Sequence, residues 1–208
     1  MIKIVLFSII FVLSGMVCRA QEYVFFLHNR YLQEFDLQSV HPEYGRVEYQ
    51  EILDVFRKQK FTVFSDIRPK GSSGDDYAQK VKRQIDSLLS KGVKPNHITV
   101  VGTSMGGYIA QYVSSLLKNK NIKYVFIGCC SDKDYLDPKS PTYYGSILSI
   151  YEKSDDIGRS CQMMKEKSGS SVVKYKEIEL NTGLKHGFLY KALQVWLEPT
   201  IKWAKGED

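Results

Sequence analysis

The sequence predicts an α/β fold: a mostly parallel sheet of about six strands flanked by helices, in one domain. Three observations carry that prediction. Short apolar runs alternate with longer amphipathic stretches, the pattern of strands joined by crossover helices. Several of the short runs are hydrophobic almost throughout, as strands covered on both faces must be. The length of 208 residues suits a single core and is too short for two ordinary domains.

The elements follow in order. Residues 1–20 stand apart: Lys3 gives a short positive start, Ile4 to Leu13 is apolar but for Ser8, and Cys18-Arg19-Ala20 fits a small-x-small cleavage pattern. This stretch reads as a secretory signal peptide cut between Ala20 and Gln21, which implies a secreted or periplasmic mature protein over residues 21–208. A membrane anchor fits less well because the apolar run is short for a bilayer. A lipid anchor at Cys18 fits less well because Gly15-Met16-Val17 is a poor lipobox. No stable membrane insertion is expected after cleavage. Strands are predicted at Tyr23–His28, Phe61–Asp66, Ile98–Gly102, Tyr124–Cys129, Ile147–Tyr151 and Val172–Leu180. Helical spacing links Tyr49, Ile52, Leu53 and Phe56, then Val81, Ile85, Leu88 and Leu89, then Ile109, Val113, Leu116 and Leu117. Gly92 and Pro95 close the second helix. Ser131 to Gly145 holds Pro138 and Pro141 and no apolar period, so it is too broken for a good crossover helix plus a lid.

Composition narrows the function classes. Hydrophobic residues at 43% and charged residues at 25% exclude disordered and fibrous chains. The net charge of +6 falls to +4 when Lys3 and Arg19 leave with the leader, and no run of like charge reaches five, so no nucleic-acid footprint is present. Cys129, Cys130 and Cys161 remain, an odd number that allows one intramolecular disulfide and leaves one thiol. Cys161 is expected near Cys129 or Cys130, since the pair ends one strand and Cys161 follows the next; three free buried thiols is the other outcome. Asp132, Asp134 and Asp137 begin like a calcium loop but fail at Leu136, and no pair has zinc spacing, so no metal and no cofactor are expected.

One motif carries chemistry. Gly102-Thr103-Ser104-Met105-Gly106 matches G-x-S-x-G between a predicted strand and a predicted helix. A sharp turn there exposes the serine hydroxyl at the top of a sheet, and the helix start offers free N–H groups to a developing negative charge. A phosphate loop is excluded, because Tyr108 stands where a lysine would be needed. Of the four histidines, His97 and His41 read as surface residues and His28 ends the first strand. His186, between the last strand and the last helix, sits where a base would overhang the sheet. Asp155-Asp156 follows a strand, so the order along the chain is Ser104, Asp155, His186.

With these motifs the chain resembles the α/β-hydrolase family over nearly all of residues 21–208, as a small esterase-like member without a cap domain. The resemblance rests on Leu27-His28-Asn29-Arg30, the serine turn, Ser154-Asp155-Asp156-Ile157-Gly158 and Lys185-His186-Gly187-Phe188. It implies a fold whose first two of eight strands are missing here. It implies Ser104 as nucleophile, His186 as base and Asp155 as orienting acid, Asp155 lying three residues after Glu152, which takes the place of a family glycine. Backbone N–H groups of Met105 and Arg30 would hold the oxyanion. Asn29 stands where the family has another glycine. Asn29, Tyr135, Tyr143 and Tyr144 are expected to line the substrate site. The implied function is a secreted hydrolase of small-molecule carboxylic esters working through an acyl-enzyme, with an open site and no interfacial activation. A triad acting on thioester or peptide bonds, and a non-catalytic binding protein on the same fold, are the alternatives.

Overall fold

A computed structural model describes residues 20–207. All but the last residue of the predicted leader lies outside the described residues. Among the described residues no helix is long and apolar enough to cross a membrane.

The strands are β1 (Tyr23–Leu27), β2 (Val40–His41), β3 (Gly45–Arg46), β4 (Thr62–Phe64), β5 (Ile98–Thr103), β6 (Lys123–Ile127), β7 (Gly145–Glu152) and β8 (Val172–Leu180). The α-helices are α1 (Tyr31–Glu34), α2 (Tyr49–Lys58), α3 (Gly74–Ser90), α4 (Met105–Leu117), α5 (Asp132–Leu136), α6 (Gln162–Ser168) and α7 (Gln194–Lys205). The six predicted strands form one sheet in the order β4-β1-β5-β6-β7-β8. Every neighbouring pair in it is parallel. Alternate side chains of each strand feed opposite faces. Val24 and Phe26 of β1 pack with Ile52 and Phe56 of α2 and with Trp196 and Leu197 of α7. Phe25 and Leu27 pack on the other face with Val81 and Ile85 of α3 and Ile109 and Val113 of α4. Two buried layers thus clamp the sheet, which explains why β1, β5 and β6 are hydrophobic along most of their length.

Several details depart from the sequence prediction. The strand predicted to reach Cys129 stops at Ile127, because Gly128 takes φ of 56° and turns the chain away from the sheet. The small hairpin β2–β3 was not foreseen. Ser131 to Gly145 holds only the five-residue α5 and runs from the top of β6 to the bottom of β7, so it forms no cap.

Cys130 is disulfide-bonded to Cys161, and Cys129 remains a buried free thiol. All three sulfurs lie within 4.8 Å of one another. The bridge joins the segment after β6 to the segment after β7, reinforcing the backbone bond from Arg159 N–H to the Cys130 carbonyl at 2.7 Å. Closing a loop of 31 residues stabilises the fold by about 3–4 kcal/mol on a chain-entropy argument. Replacing Cys130 and Cys161 together by serine is therefore expected to lower Tm by about 6–15 °C in calorimetry. An unchanged Tm would show that the bridge does not constrain the fold.

Candidate active site

The site is built at the carboxyl ends of the parallel strands, beside the point where strand order reverses around β1. Ser104 joins β5 to α4 with φ 50° and ψ −119°, a conformation rarely held by a residue with a side chain. Its N–H donates to the Ile127 carbonyl at 2.8 Å, locking the turn to β6. The flanking glycines are steric necessities. A Cβ on Gly102 would meet the Gly106 carbonyl at 2.3 Å, and one on Gly106 would meet the Leu27 carbonyl oxygen at 1.9 Å. The start of α4 therefore lies directly against the end of β1.

His186 reaches Ser104 from the far side of the cleft. It sits on a 3₁₀ turn, Lys185–Tyr190, after β8. Its Nε2 is 2.9 Å from Ser104 Oγ and its Nδ1 is 2.6 Å from Asp155 Oδ2. Asp155 is fully buried, and its other oxygen accepts the Ile157 N–H at 2.9 Å. The three side chains form one hydrogen-bonded line. Asp156 points to solvent, its side chain 89% exposed and paired with Arg159, and it caps no helix.

Glu152, noted in the sequence only as a departure from a glycine, ties the two loops together. Its buried carboxylate accepts from Ser154 N–H and Oγ–H at 3.2 and 2.9 Å. It also accepts from Thr182 N–H and Oγ1–H, both at 2.8 Å. Ser154 Oγ in turn accepts from the N–H of Lys185, the neighbour of His186. Burial works against the charge, but the bonds from Thr182 and Ser154 outweigh it and hold the carboxyl below its usual range. A carboxyl depressed in the folded state contributes stability that is complete above its unfolded pKa, about 4.3. That contribution is lost as pH falls through the lower native value. Glu152→Gln is expected to lower Tm by about 4–8 °C at neutral pH, and the gap from the native chain should close below about pH 4. A gap that stays constant between pH 3 and 7 in thermal scans would contradict this assignment.

The cleft in front of Ser104 has a volume of about 830 Å³. Asn29, Arg30 and Met105 line it beside Ser104 and His186. Asn29 is largely buried, however, and its side-chain oxygen accepts the Leu32 N–H at 3.3 Å, so this residue organises the start of α1. The three tyrosines expected in the wall are elsewhere. Tyr143 is buried in the lower core, its ring centre 5.1 Å from that of Phe126. Tyr144 is bonded through its backbone to Ser114 of α4. Tyr135 is partly exposed under Lys167, outside the lining. The reason is topological: Tyr143 and Tyr144 immediately precede β7, at the end of the sheet opposite the cleft.

The wall is supplied instead by Tyr31, His41, Tyr44 and Tyr190. His41 is not a solvated surface residue: it stacks on Tyr44 at 4.5 Å and meets Tyr190 at 5.6 Å. Tyr44 also leaves no room beside His186, for a Cβ on Gly187 would fall 2.8 Å from its ring. Only Tyr44's place two residues after Pro42 hinted at a turn; the two-residue strands that fold it inward leave no periodic signal. On the opposite side, Tyr108 donates to Asp134, which also accepts the Ser131 N–H at 2.7 Å. Burial and the neighbouring Asp134 hold the Tyr108 hydroxyl well above its usual pKa, so it stays protonated.

No family sequence model and no curated protein matches the chain. Solved structures do. The crystal structure of Arabidopsis thaliana SOBER1 aligns with a TM-score of 0.60 at 13% identity, over 90% of this chain and 99% of that one. A Bacillus cereus carboxylesterase aligns with a TM-score of 0.57 at 12% identity, over 90% of this chain and 89% of that one. A putative α/β hydrolase from Agrobacterium tumefaciens aligns with a TM-score of 0.57 at 18% identity, over 90% and 85%. With a six-stranded parallel sheet wound on both faces and, among the described residues, no cap over its carboxyl edge, this chain has the α/β-hydrolase fold.

Proposed function

We propose that this protein is a secreted or periplasmic serine hydrolase that cleaves small carboxylic esters through an acyl-enzyme. The observation that carries the reading is the hydrogen-bonded line from Ser104 through His186 to buried Asp155. Ser104 Oγ attacks the ester carbonyl as His186 Nε2 takes its proton. Asp155 holds the imidazole tautomer and stabilises the imidazolium. The N–H groups of Met105 and Arg30 receive the negative charge that develops on the carbonyl oxygen. Collapse of the tetrahedral intermediate expels the alcohol, which takes the proton from His186. Water then repeats the sequence on the acyl group and frees Ser104.

The esterase and carboxylesterase titles of structural neighbours support hydrolysis of this kind. A buried disulfide supports an oxidising compartment, in line with the leader pattern of residues 1–20. The uncapped cleft, with its aromatic wall, suits soluble short-chain substrates. A panel of p-nitrophenyl esters, acyl thioesters and aminopeptides, run against the mature protein with Ser104→Ala as blank, tests the reading. Expected are Ser104-dependent turnover highest on short esters, labelling of Ser104 by a fluorophosphonate, and no rate jump on adding lipid micelles. Turnover confined to thioesters or peptides would replace the substrate class. Absence of both labelling and turnover would leave a binding protein on a hydrolase fold.

A further inference from the structure

Behind the first oxyanion residue lies a buried cation that the mechanism above does not use. Arg68, on the loop after β4, is 1% exposed, and each of its hydrogen bonds ends on a neutral acceptor. Nε donates to Gln33 Oε1 at 3.0 Å. Nη2 donates to the carbonyls of His28 at 2.5 Å and Asn29 at 3.0 Å. Nη1 is buried with no hydrogen-bond partner. The guanidinium also lies over the Tyr77 ring, 5.5 Å from its centre. Burying a guanidinium without a counter-ion is costly, and an uncompensated charge of this kind asks for a reason.

The carbonyl it grips supplies one. Asn29 O and Arg30 N–H belong to the same peptide group. That group is trans, so a carbonyl held toward Arg68 sends the N–H the opposite way. His28 completes the hold. Its Nε2 accepts the Arg68 N–H at 2.9 Å, so Nδ1 carries the proton and donates to Asn29 O at 2.7 Å. Burial first, and then the Arg68 charge, push the His28 pKa down to about 3, so this ring stays neutral and keeps that tautomer. Burial lowers the Arg68 pKa only to about 10, so its charge persists at neutral pH. The turn that carries the other oxyanion residue packs against the same segment. Gly106 packs on the Leu27 and His28 carbonyls, and Arg30 Nη2 lies 3.8 Å from Met105 Sδ.

We infer that Arg68 is a positioning residue for the oxyanion hole: with His28 it fixes and polarises the Asn29–Arg30 peptide, so that the Arg30 N–H is aimed and strengthened as a donor. Two donors on one carbonyl pull electron density toward oxygen and leave the amide hydrogen more positive. The buried charge adds a positive potential behind the hole that water does not screen.

The inference rests on Ser104 acting as the nucleophile. Its test compares native protein, Arg68→Gln and Arg68→Lys on one p-nitrophenyl ester, and measures inhibition by phenylboronic acid. Ser104 adds to the boron to give a tetrahedral anion that mimics the charged intermediate. Arg68→Gln is expected to lower kcat about a hundredfold and weaken boronate binding by a similar factor, with KM within about threefold. A residue that only supports the fold would lower Tm without separating boronate affinity from KM. Arg68→Lys keeps the charge but cannot span both carbonyls, and about a tenfold loss of boronate affinity is expected; if Arg68→Gln fails to fold, this variant decides. Boronate affinity within threefold of native in the folded variants overturns the inference and leaves the hydrolase reading intact. Native protein with no Ser104-dependent turnover overturns that reading, and this inference with it.

Discussion

Ser104→Ala is expected to lower kcat on an activated ester by about 10⁶, the scale seen when a triad member is removed from a serine hydrolase. Alanine keeps the Cβ that this turn already accommodates at φ 50°, so the change isolates the hydroxyl. His186→Ala should cost about as much, and the double variant no more than either alone. The serine is activated only through the imidazole, and the imidazole has a task only when the serine is present. Steady-state rates under saturating substrate with all three variants decide the matter. Additive losses would mean that Ser104 and His186 act on separate steps, contrary to their 2.9 Å contact.

The second large effect separates two neighbouring acids. Asp155→Asn is expected to reduce turnover at least a hundredfold, within the roughly 10⁴ known for such a change elsewhere. Asp156→Asn should cost less than about fivefold. Asp155 uses one oxygen on His186 Nδ1 and the other on the Ile157 N–H. An asparagine there either turns its NH₂ toward the imidazole, which selects the wrong tautomer, or turns it toward the Ile157 N–H, which opposes donor to donor. Asp156 pairs with Arg159 at the surface. The reverse ranking on one activated ester would move the orienting role to Asp156.

Much of this architecture is legible in the sequence because burial on two faces leaves an unmistakable pattern. Val24 to Leu27 and Tyr124 to Ile127 are hydrophobic in every position, Ile98 to Val101 in all but Thr99, and each became an interior strand. The serine turn is legible because only glycine tolerates the contacts at residues 102 and 106. What escapes is whatever depends on long-range placement. Tyr143 and Tyr144 sit close in sequence to the loop over the cleft, yet the chain has descended the height of the sheet before reaching them. His41 ends a strand of two residues and Tyr44 lies in the turn before another, elements too short to show a period. Arg68 looks like any solvated loop cation until the fold buries it against the end of β1. Glu152 registers only as an oddity, because its partners Thr182 and Gly183 lie on another loop.

The three clustered sulfurs bear on how the chain reaches its native state. In an unfolded chain each thiol ionises near pH 8.5, so Cys129 competes with Cys130 for Cys161 on equal chemical terms. Folding removes that competition. Burial drives the Cys129 thiol up to about 12, with Gln111 opposing only weakly, so almost no thiolate remains at neutral pH. Exchange needs a thiolate, and the correct pairing is thus kinetically trapped although a third sulfur lies within 4.8 Å of the bridge. The burial that builds the floor of the cleft also proofreads its cross-link: a chain that pairs Cys129 instead leaves Cys130 reactive only while it remains loose enough to be corrected.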